Sequence, residues 1–233
     1  MSLFRTVSLT CPSCGAMSEI EAVESVNADR RPDLRDEIIE GTFQVFPCGK
    51  CGEPVRLEPQ FNYLEVGANL WIAAYPGRMM PDYLDVEDSV SDVFDNSYGV
   101  HAMPAAQAIG SDLNVRLTFG WPAIREKLVL SREGISDAEI EQLKLEILRR
   151  VPDAPLAPGV ELRFAGIEDA MLHFAWIETE SETVLQEFAV QRSLLEELSD
   201  NAAAWGPVRT QLENGPFVDM QKLYMGEGRA TAE

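Results

Sequence analysis

The hydrophobic rhythm of the chain changes twice. In the first third, apolar residues come in short runs. Residues 42–46, 53–57, 61–66 and 70–75 each read as a strand, the last being the most apolar segment of the sequence, and Pro76-Gly77 closes the series with a turn signal. Residues 33–40, after Pro32, read as a short helix. Residues 18–26 carry Ile20, Val23 and Val26 around Ala22 and match neither period cleanly.

In the middle third the spacing becomes helical. Leu84, Val86, Val90, Val93 and Phe94 form the stripe of an acid-rich helix over residues 82–95, with Asp85 as its cap. Pro122 suits the first position of a helix running to about Leu130. Ser136 and Glu139 make a capping box ahead of Ile140, Leu143, Ile147, Leu148 and Val151. Pro152, Pro155 and Pro158-Gly159 then end the helix and form a stiff linker. Beyond it, residues 161–164, 171–177 and 183–190 read as strands, with Leu172, Phe174 and Trp176 on one face. A helix bearing Leu194, Leu195, Leu198, Ala202 and Trp205 is placed to pack on that sheet. Residues 217–224 fit strand or helix equally, and the tail after Gly226 is expected to be loose.

The four cysteines of the sequence stand in two matched clips, Cys11-Pro12-Ser13-Cys14-Gly15 and Cys48-Gly49-Lys50-Cys51-Gly52. Two residues between thiols let both sulfurs of a clip reach one ion at about 2.3 Å, and the glycine after each second cysteine suits a chain that must swing away with positive φ. The clips lie 33 residues apart, beyond the usual span of about 15 to 20, so folded structure must fill the gap, and residues 18–26 are expected as a strand leaving the first clip. Two disulfides or one redox dithiol are the competing readings. The opening Met-Ser-Leu-Phe-Arg-Thr has no apolar signal run, and a redox dithiol of the thioredoxin kind needs one such clip opening a helix rather than two followed by glycine. Cys11, Cys14, Cys48 and Cys51 are therefore expected to hold one structural Zn2+ in a cytoplasmic protein.

These residues resemble the bacterial and archaeal CpXC domain, a zinc-ribbon-like family without an established activity. The resemblance rests on the paired clips, on Glu-Gly-Thr-Phe-Gln-Val-Phe at residues 40–46 and on Ala-Tyr-Pro-Gly at residues 74–77. It covers about the first 130 residues, where Phe119-Gly120-Trp121-Pro122 and Arg125-Glu126-Lys127-Leu128 recur in longer members. Carried over residue by residue, it implies metal ligation by Cys11, Cys14, Cys48 and Cys51. The second clip has Gly49 where the family has proline, and its proline is Pro47.

The expected fold is α+β. Residues 1–80 form a zinc-ribbon-like β region with a short helical insertion, residues 81–152 a helical connector, and residues 153–233 an α+β region. Nothing approaches the roughly 18 apolar residues of a membrane span, so no membrane partner is expected. The formal net charge is −20 over 233 residues, and four thiolates around a divalent ion add a further −2. Basic residues number 7 against 11 acidic in residues 1–80, and 12 against 28 in residues 81–233. Such a surface repels phosphate backbones, so nucleic acid is not an expected partner.

No phosphate loop, nucleophile elbow or zinc-protease motif is present. His101 sits in a loop and His173 on the strand face opposite Leu172, both as surface histidines, while Glu168-Asp169 and Glu178 are carboxylates without a convergent partner in sequence. The reading that follows is a zinc-binding protein with a closed four-cysteine site, acting as an adaptor for a protein partner. Aromatic residues such as Phe43, Phe61, Tyr63 and Trp71 belong either to its core or to that interface. An enzyme with a site between ribbon and C-terminal region, and a zinc-releasing redox switch, are the alternatives, and self-association through a sheet edge is compatible with the composition. Structural zinc is worth about 10–16 kcal/mol in small peptides, against about 5–15 kcal/mol for a whole domain. Metal removal is expected to unfold residues 1–80 selectively. A thermal melt unchanged after a chelator has stripped the ion would contradict this.

Overall fold

The fold is taken from a computed structural model, which describes residues 3–151 and 153–225. Pro152 and the tail from Gly226 onward lie outside the described residues. The chain opens with β1 (Leu3–Thr10), β2 (Met17–Asn27), α1 (Pro32–Glu40) and the short strands β3 (Val45–Pro47) and β4 (Pro54–Arg56). Next come β5 (Phe61–Glu65), β6 (Leu70–Tyr75), α2 (Tyr83–Ser97), α3 (Pro104–Gly110) and β7 (Asn114–Phe119). The remainder is α4 (Trp121–Glu133), α5 (Asp137–Arg150), β8 (Val160–Glu168), β9 (Met171–Glu178), β10 (Val184–Gln191), α6 (Ser193–Asp200), α7 (Ala202–Leu212) and α8 (Gln221–Met225). The architecture is mixed α+β, as the spacing predicts.

Two sheets and one hairpin organise these elements. The larger sheet has the order β1-β2-β5-β6-β7, the smaller β10-β9-β8, and β3 pairs with β4 alone. β6 lies inside the larger sheet with both faces covered, which explains its unbroken apolar run. On one face Ile72 and Ala74 meet Leu34 and Ile38 of α1 and Ile124 and Leu128 of α4. On the other, Trp71 and Ala73 meet Tyr83, Val86 and Val90 of α2. Phe43, Phe61, Tyr63 and Trp71 are all core residues, so none of them is available to a partner.

Residues 81–152 hold a strand as well as helices. β7 pairs in parallel with β6, from Leu70↔Asn114 to Tyr75↔Phe119, and places Val115, Leu117 and Phe119 at alternate positions. The helix of residues 82–95 runs on to Ser97 and begins at Tyr83, so Asp85 lies in its first turn and Asp82 takes the cap position, without a side-chain cap bond. The capping box at Ser136 also makes no side-chain cap bond. Asp137 Oδ1 takes the Ala138 N–H at 3.0 Å instead, while its carboxylate binds Arg116 at 2.7 Å and Lys127 at 2.8 Å. The charged carboxylate, held by two cations, is a stronger acceptor for a first-turn N–H than the neutral Ser136 hydroxyl.

α4 lies between the two sheets. Ile124 and Leu128 enter the larger sheet's core, while Val129 and Leu130 join Leu162, Phe164 and Phe174 of the smaller sheet, Ile140 and Leu143 of α5, and Leu195 of α6. A helix covered on both sides must bury its polar positions too, and here they are paired. Lys144 Nζ stands 2.7 Å from Glu126 Oε1 and 2.9 Å from Glu141 Oε1, all three side chains being fully buried. Arg163 Nη1 reaches Glu126 Oε2 at 2.9 Å and Asp219 Oδ2 at 2.7 Å, and its Nε reaches Glu161 at 2.9 Å. Backbone N–H groups complete the set, Phe164 donating to Glu126 at 2.6 Å and Met220 to Glu141 at 2.9 Å.

Burial pushes the Glu141 carboxyl up to about 7, with Asp219 and Glu126 reinforcing it against Lys144. Asp219 is equally buried, yet Arg163 and Lys144 overcome that and bring it down to about 2. The two groups set opposite slopes. Asp219 contributes stability above its unfolded value near 4, lost as pH falls towards 2, whereas Glu141 favours its protonated form and lowers stability as pH rises from about 4.3 to 7. Glu141→Gln should flatten the decline in stability between pH 5 and 7.5, measured by denaturant melts. An unaltered slope would assign it elsewhere. Lys144→Met leaves two buried carboxylates short of a cation and should lower stability by about 3–5 kcal/mol; a midpoint equal to the parent's would contradict that.

Candidate metal centre

The two clips are the turns of two hairpins. β1 ends at Thr10 and hands over to Cys11, and β2 resumes at Met17, while Cys48 and Cys51 occupy the turn between β3 and β4. Both turns use the same backbone bonds. Gly15 N–H donates to Cys11 O at 2.9 Å and Gly52 N–H to Cys48 O at 2.8 Å; Cys11 N–H donates to Ala16 O at 2.9 Å and Cys48 N–H to Glu53 O at 2.8 Å. Gly15 and Gly52 have φ of +67° and +75°, and a Cβ at either would meet nothing within 4 Å. The glycines are needed for their backbone conformation rather than for room.

The turns face each other and bring all four sulfurs within 4.8 Å of one another. Cys11 Sγ is 3.7 Å from Cys51 Sγ, and Cys14 Sγ is 3.6 Å from Cys48 Sγ. A tetrahedron with metal–sulfur bonds of about 2.3 Å has edges of about 3.8 Å, far from the roughly 2.05 Å of a disulfide. The cluster could therefore hold a metal ion. Around it, Leu9, Ala16 and Val55 pack against Cys11 and Cys48 in a small apolar group separate from the main cores. Cys11 and Cys48 are buried, Cys14 is half-buried and Cys51 is exposed.

The thiols pull one another in opposite directions. Backbone N–H groups of Cys51 and Lys50 point at Cys48 and hold its thiol down to about 6. At Cys51 the Glu53 N–H favours the thiolate, but the neighbouring thiols and burial outweigh it and push the group up to about 12. Four sulfurs this close cannot all ionise without a cation among them, a charge that a divalent ion would supply.

The metal hairpin is tied to the rest of the molecule at one corner. Arg56, the last residue of β4, lies over the Trp121 ring at 4.2 Å and reaches Glu182 at 2.6 Å, and Arg125 of α4 reaches the other Glu182 oxygen at 3.1 Å. Trp121 Nε1 donates to Leu57 O at 2.9 Å. Glu182 belongs to the β9–β10 turn, so one carboxylate joins the hairpin, α4 and the C-terminal sheet. A cleft of about 440 Å³ lies here, lined by Arg56, Glu58, Arg78, Trp121 and Glu182 among others. Of the three carboxylates in its lining, which include Glu180, Glu58 is engaged by Arg78 and Glu182 by Arg56 and Arg125. Sequence spacing points to the sulfurs and misses this clasp, since Glu182 lies 126 positions from Arg56; Trp121 in its Phe-Gly-Trp-Pro motif is the one legible part.

The other candidate residues do not converge. His101 is an exposed turn residue, and His173 is half-buried in β9. Glu168 and Asp169 precede β9 while Glu178 ends it, accepting a bond from Ser181 at 2.5 Å. Among the described residues, no helix is long and apolar enough to cross a membrane.

Residues 9–144 match the family model described as CpXC protein, over more than half of the chain. The chain belongs to that family. No curated protein and no solved structure matches it.

Gly52→Ala places a Cβ at positive φ, a conformation disfavoured by roughly 1–2 kcal/mol. Competition against a chromophoric chelator should show affinity for Zn2+ lowered by about five- to thirtyfold. An affinity equal to the parent's would remove the backbone requirement.

Proposed function

Taking membership of the CpXC family as premise, we propose that this chain is a cytoplasmic zinc protein. The ion, held by Cys11, Cys14, Cys48 and Cys51, is structural, and the protein serves as an adaptor module for a protein partner. The observation that carries the metal assignment is the 3.6–3.7 Å separation of the paired sulfurs, which fits a tetrahedral tetrathiolate. Sulfur ligands favour a soft or borderline ion, and an all-sulfur tetrahedron favours zinc or an iron–sulfur centre. With four protein ligands zinc keeps no open position for water or substrate, so the site stabilises a shape rather than performing chemistry. A compartment that keeps thiols reduced suits such a site. The net charge of −20 favours a protein partner over nucleic acid.

The tip around the sulfurs has a small apolar group of its own, while β5 and β6 belong to cores shared with α1, α2 and α4. That narrows the metal-dependent segment to residues 9–20 and 45–57. Hydrogen exchange after chelation should accelerate there and stay slow in β5 and β6; exchange unchanged in both regions would remove the structural role. Cys14→Ser should lose the stoichiometric zinc of the parent by native mass spectrometry and lose any captured partner. Retention of both would overturn the proposal.

The exposure of Cys51 favours one second reading, a redox switch in which oxidation releases the ion. Stoichiometric zinc release under mild peroxide, reversed by a thiol reductant, would support it, and thiols that stay metal-bound would exclude it.

A further inference from the structure

The sheet edges of this molecule are guarded unequally. An open edge presents unpaired N–H and C=O groups and is normally blocked by cover, charge, bulges or proline. At the outer edge of β7, Leu117 N–H donates to Pro216 O at 2.9 Å. β8 lies against α4, whose Glu126 takes the outward Phe164 N–H at 2.6 Å. β10 interrupts its ladder with a bulge between Val184 and Gln186 and carries Glu187 at mid-strand. β1 is guarded only at its start, where the register shifts between Leu3 and Phe4. Its register with β2 is continuous from Phe4 to Thr10, and among the described residues no backbone bond from another segment covers its outer side. It contains no proline, and its single charge, Arg5, is engaged by Glu24 at 2.9 Å.

The chemistry beside that edge is one-sided. Ser8 stands across from Glu19 and Thr6 across from Glu21, so both carboxylates share a face with short hydroxyl side chains. A strand added outside β1 would lie about 9.6 Å from β2, two strand spacings away. Long cationic side chains opposite Thr6 and Ser8 can extend over those short residues to the carboxylates. The tetrathiolate at the tip adds negative charge once it holds a divalent ion. A second copy of this chain brings a further net −20 and is repelled.

We propose that β1 is a docking edge that takes an extended, basic segment of a partner protein as a sixth strand of the larger sheet, with Glu19 and Glu21 selecting its alternate lysine or arginine residues. This rests on the adaptor reading and deepens it. Backbone pairing supplies the adhesion and the carboxylates supply the choice of partner.

The test uses the full zinc-loaded chain, with metal content verified, and an eight-residue probe peptide alternating lysine and valine. A control peptide carries glutamate in place of lysine. Binding of the lysine peptide should protect residues 5–10 from hydrogen exchange and weaken about tenfold or more in Glu19→Lys/Glu21→Lys. Ser8→Lys, which fills the lane with charge, should abolish binding. Both variants change exposed or half-exposed positions, and unchanged zinc content and circular dichroism establish that they fold. Equal binding of the glutamate peptide, protection elsewhere, or no binding overturns the docking edge, as does protection of β1 that rises with protein concentration alone, which would assign the edge to a second copy. None of those results touches the adaptor reading, which is decided separately by partner capture with Cys14→Ser.

Discussion

Four sulfurs stand where two hairpin turns meet, and the tip of the molecule has little else to hold it. Cys11, Cys48 and Val55 are the buried members of its apolar group, with Leu9, Cys14 and Ala16 packed alongside. A group that small cannot offset the chain entropy of ordering two hairpins, at roughly 1–2 kcal/mol per residue. Thiolate coordination of an ion can, and it also resolves the conflict among neighbouring thiols that drives Cys48 down and Cys51 up. The matched backbone bonds of the clips aim the sulfurs, so the geometry exists to serve the centre. The β1–β2 ribbon leads from that centre into the larger sheet.

The rest of the molecule is held differently. α4 faces two cores, and Glu126 and Lys144 are paired because neither has a solvent face to turn to. A buried ion cluster is weak evidence of added stability, since desolvation of each charge offsets much of the attraction. It is strong evidence of register: Glu126, Glu141 and Arg163 fix how α4, α5, β8 and residues 219–220 lie against one another, as each carboxylate is also bonded to a backbone N–H or a second cation. The Arg56–Glu182–Arg125 clasp does the same between the metal hairpin and the C-terminal sheet. The centre thus joins the fold twice, through the β1–β2 ribbon that enters the larger sheet and through this salt-bridged corner at the second hairpin.

Legibility in the sequence follows the range of the interactions. The metal site is readable because a Cys-x-x-Cys clip is local and repeated. β6 is readable because burial on both faces writes a solid apolar run, and α5 because its stripe is amphipathic. β1 escapes the pattern, although Val7 and Leu9 alternate with Thr6, Ser8 and Thr10, because an edge strand with one weakly covered face carries a faint signal. β7 escapes for another reason: it lies amid helices and pairs with β6 only after two of them intervene. Glu126 and Lys144 resemble ordinary surface residues of a helix, and only the second sheet, arriving from residues 160–191, buries them. Ser136 does mark the N-cap of α5, but its hydroxyl makes no cap bond, and the Asp137 carboxylate, held by Arg116 and Lys127, takes the Ala138 N–H.

The proposed centre is one zinc ion among Cys11, Cys14, Cys48 and Cys51 with no fifth position open. Zinc-edge X-ray absorption on the purified chain examines that shell directly. Four sulfur scatterers at about 2.3 Å, with no nitrogen or oxygen in the first shell, is the predicted result. A shell that includes water or a nitrogen ligand, or a chain that binds no zinc when its thiols are reduced, would contradict it.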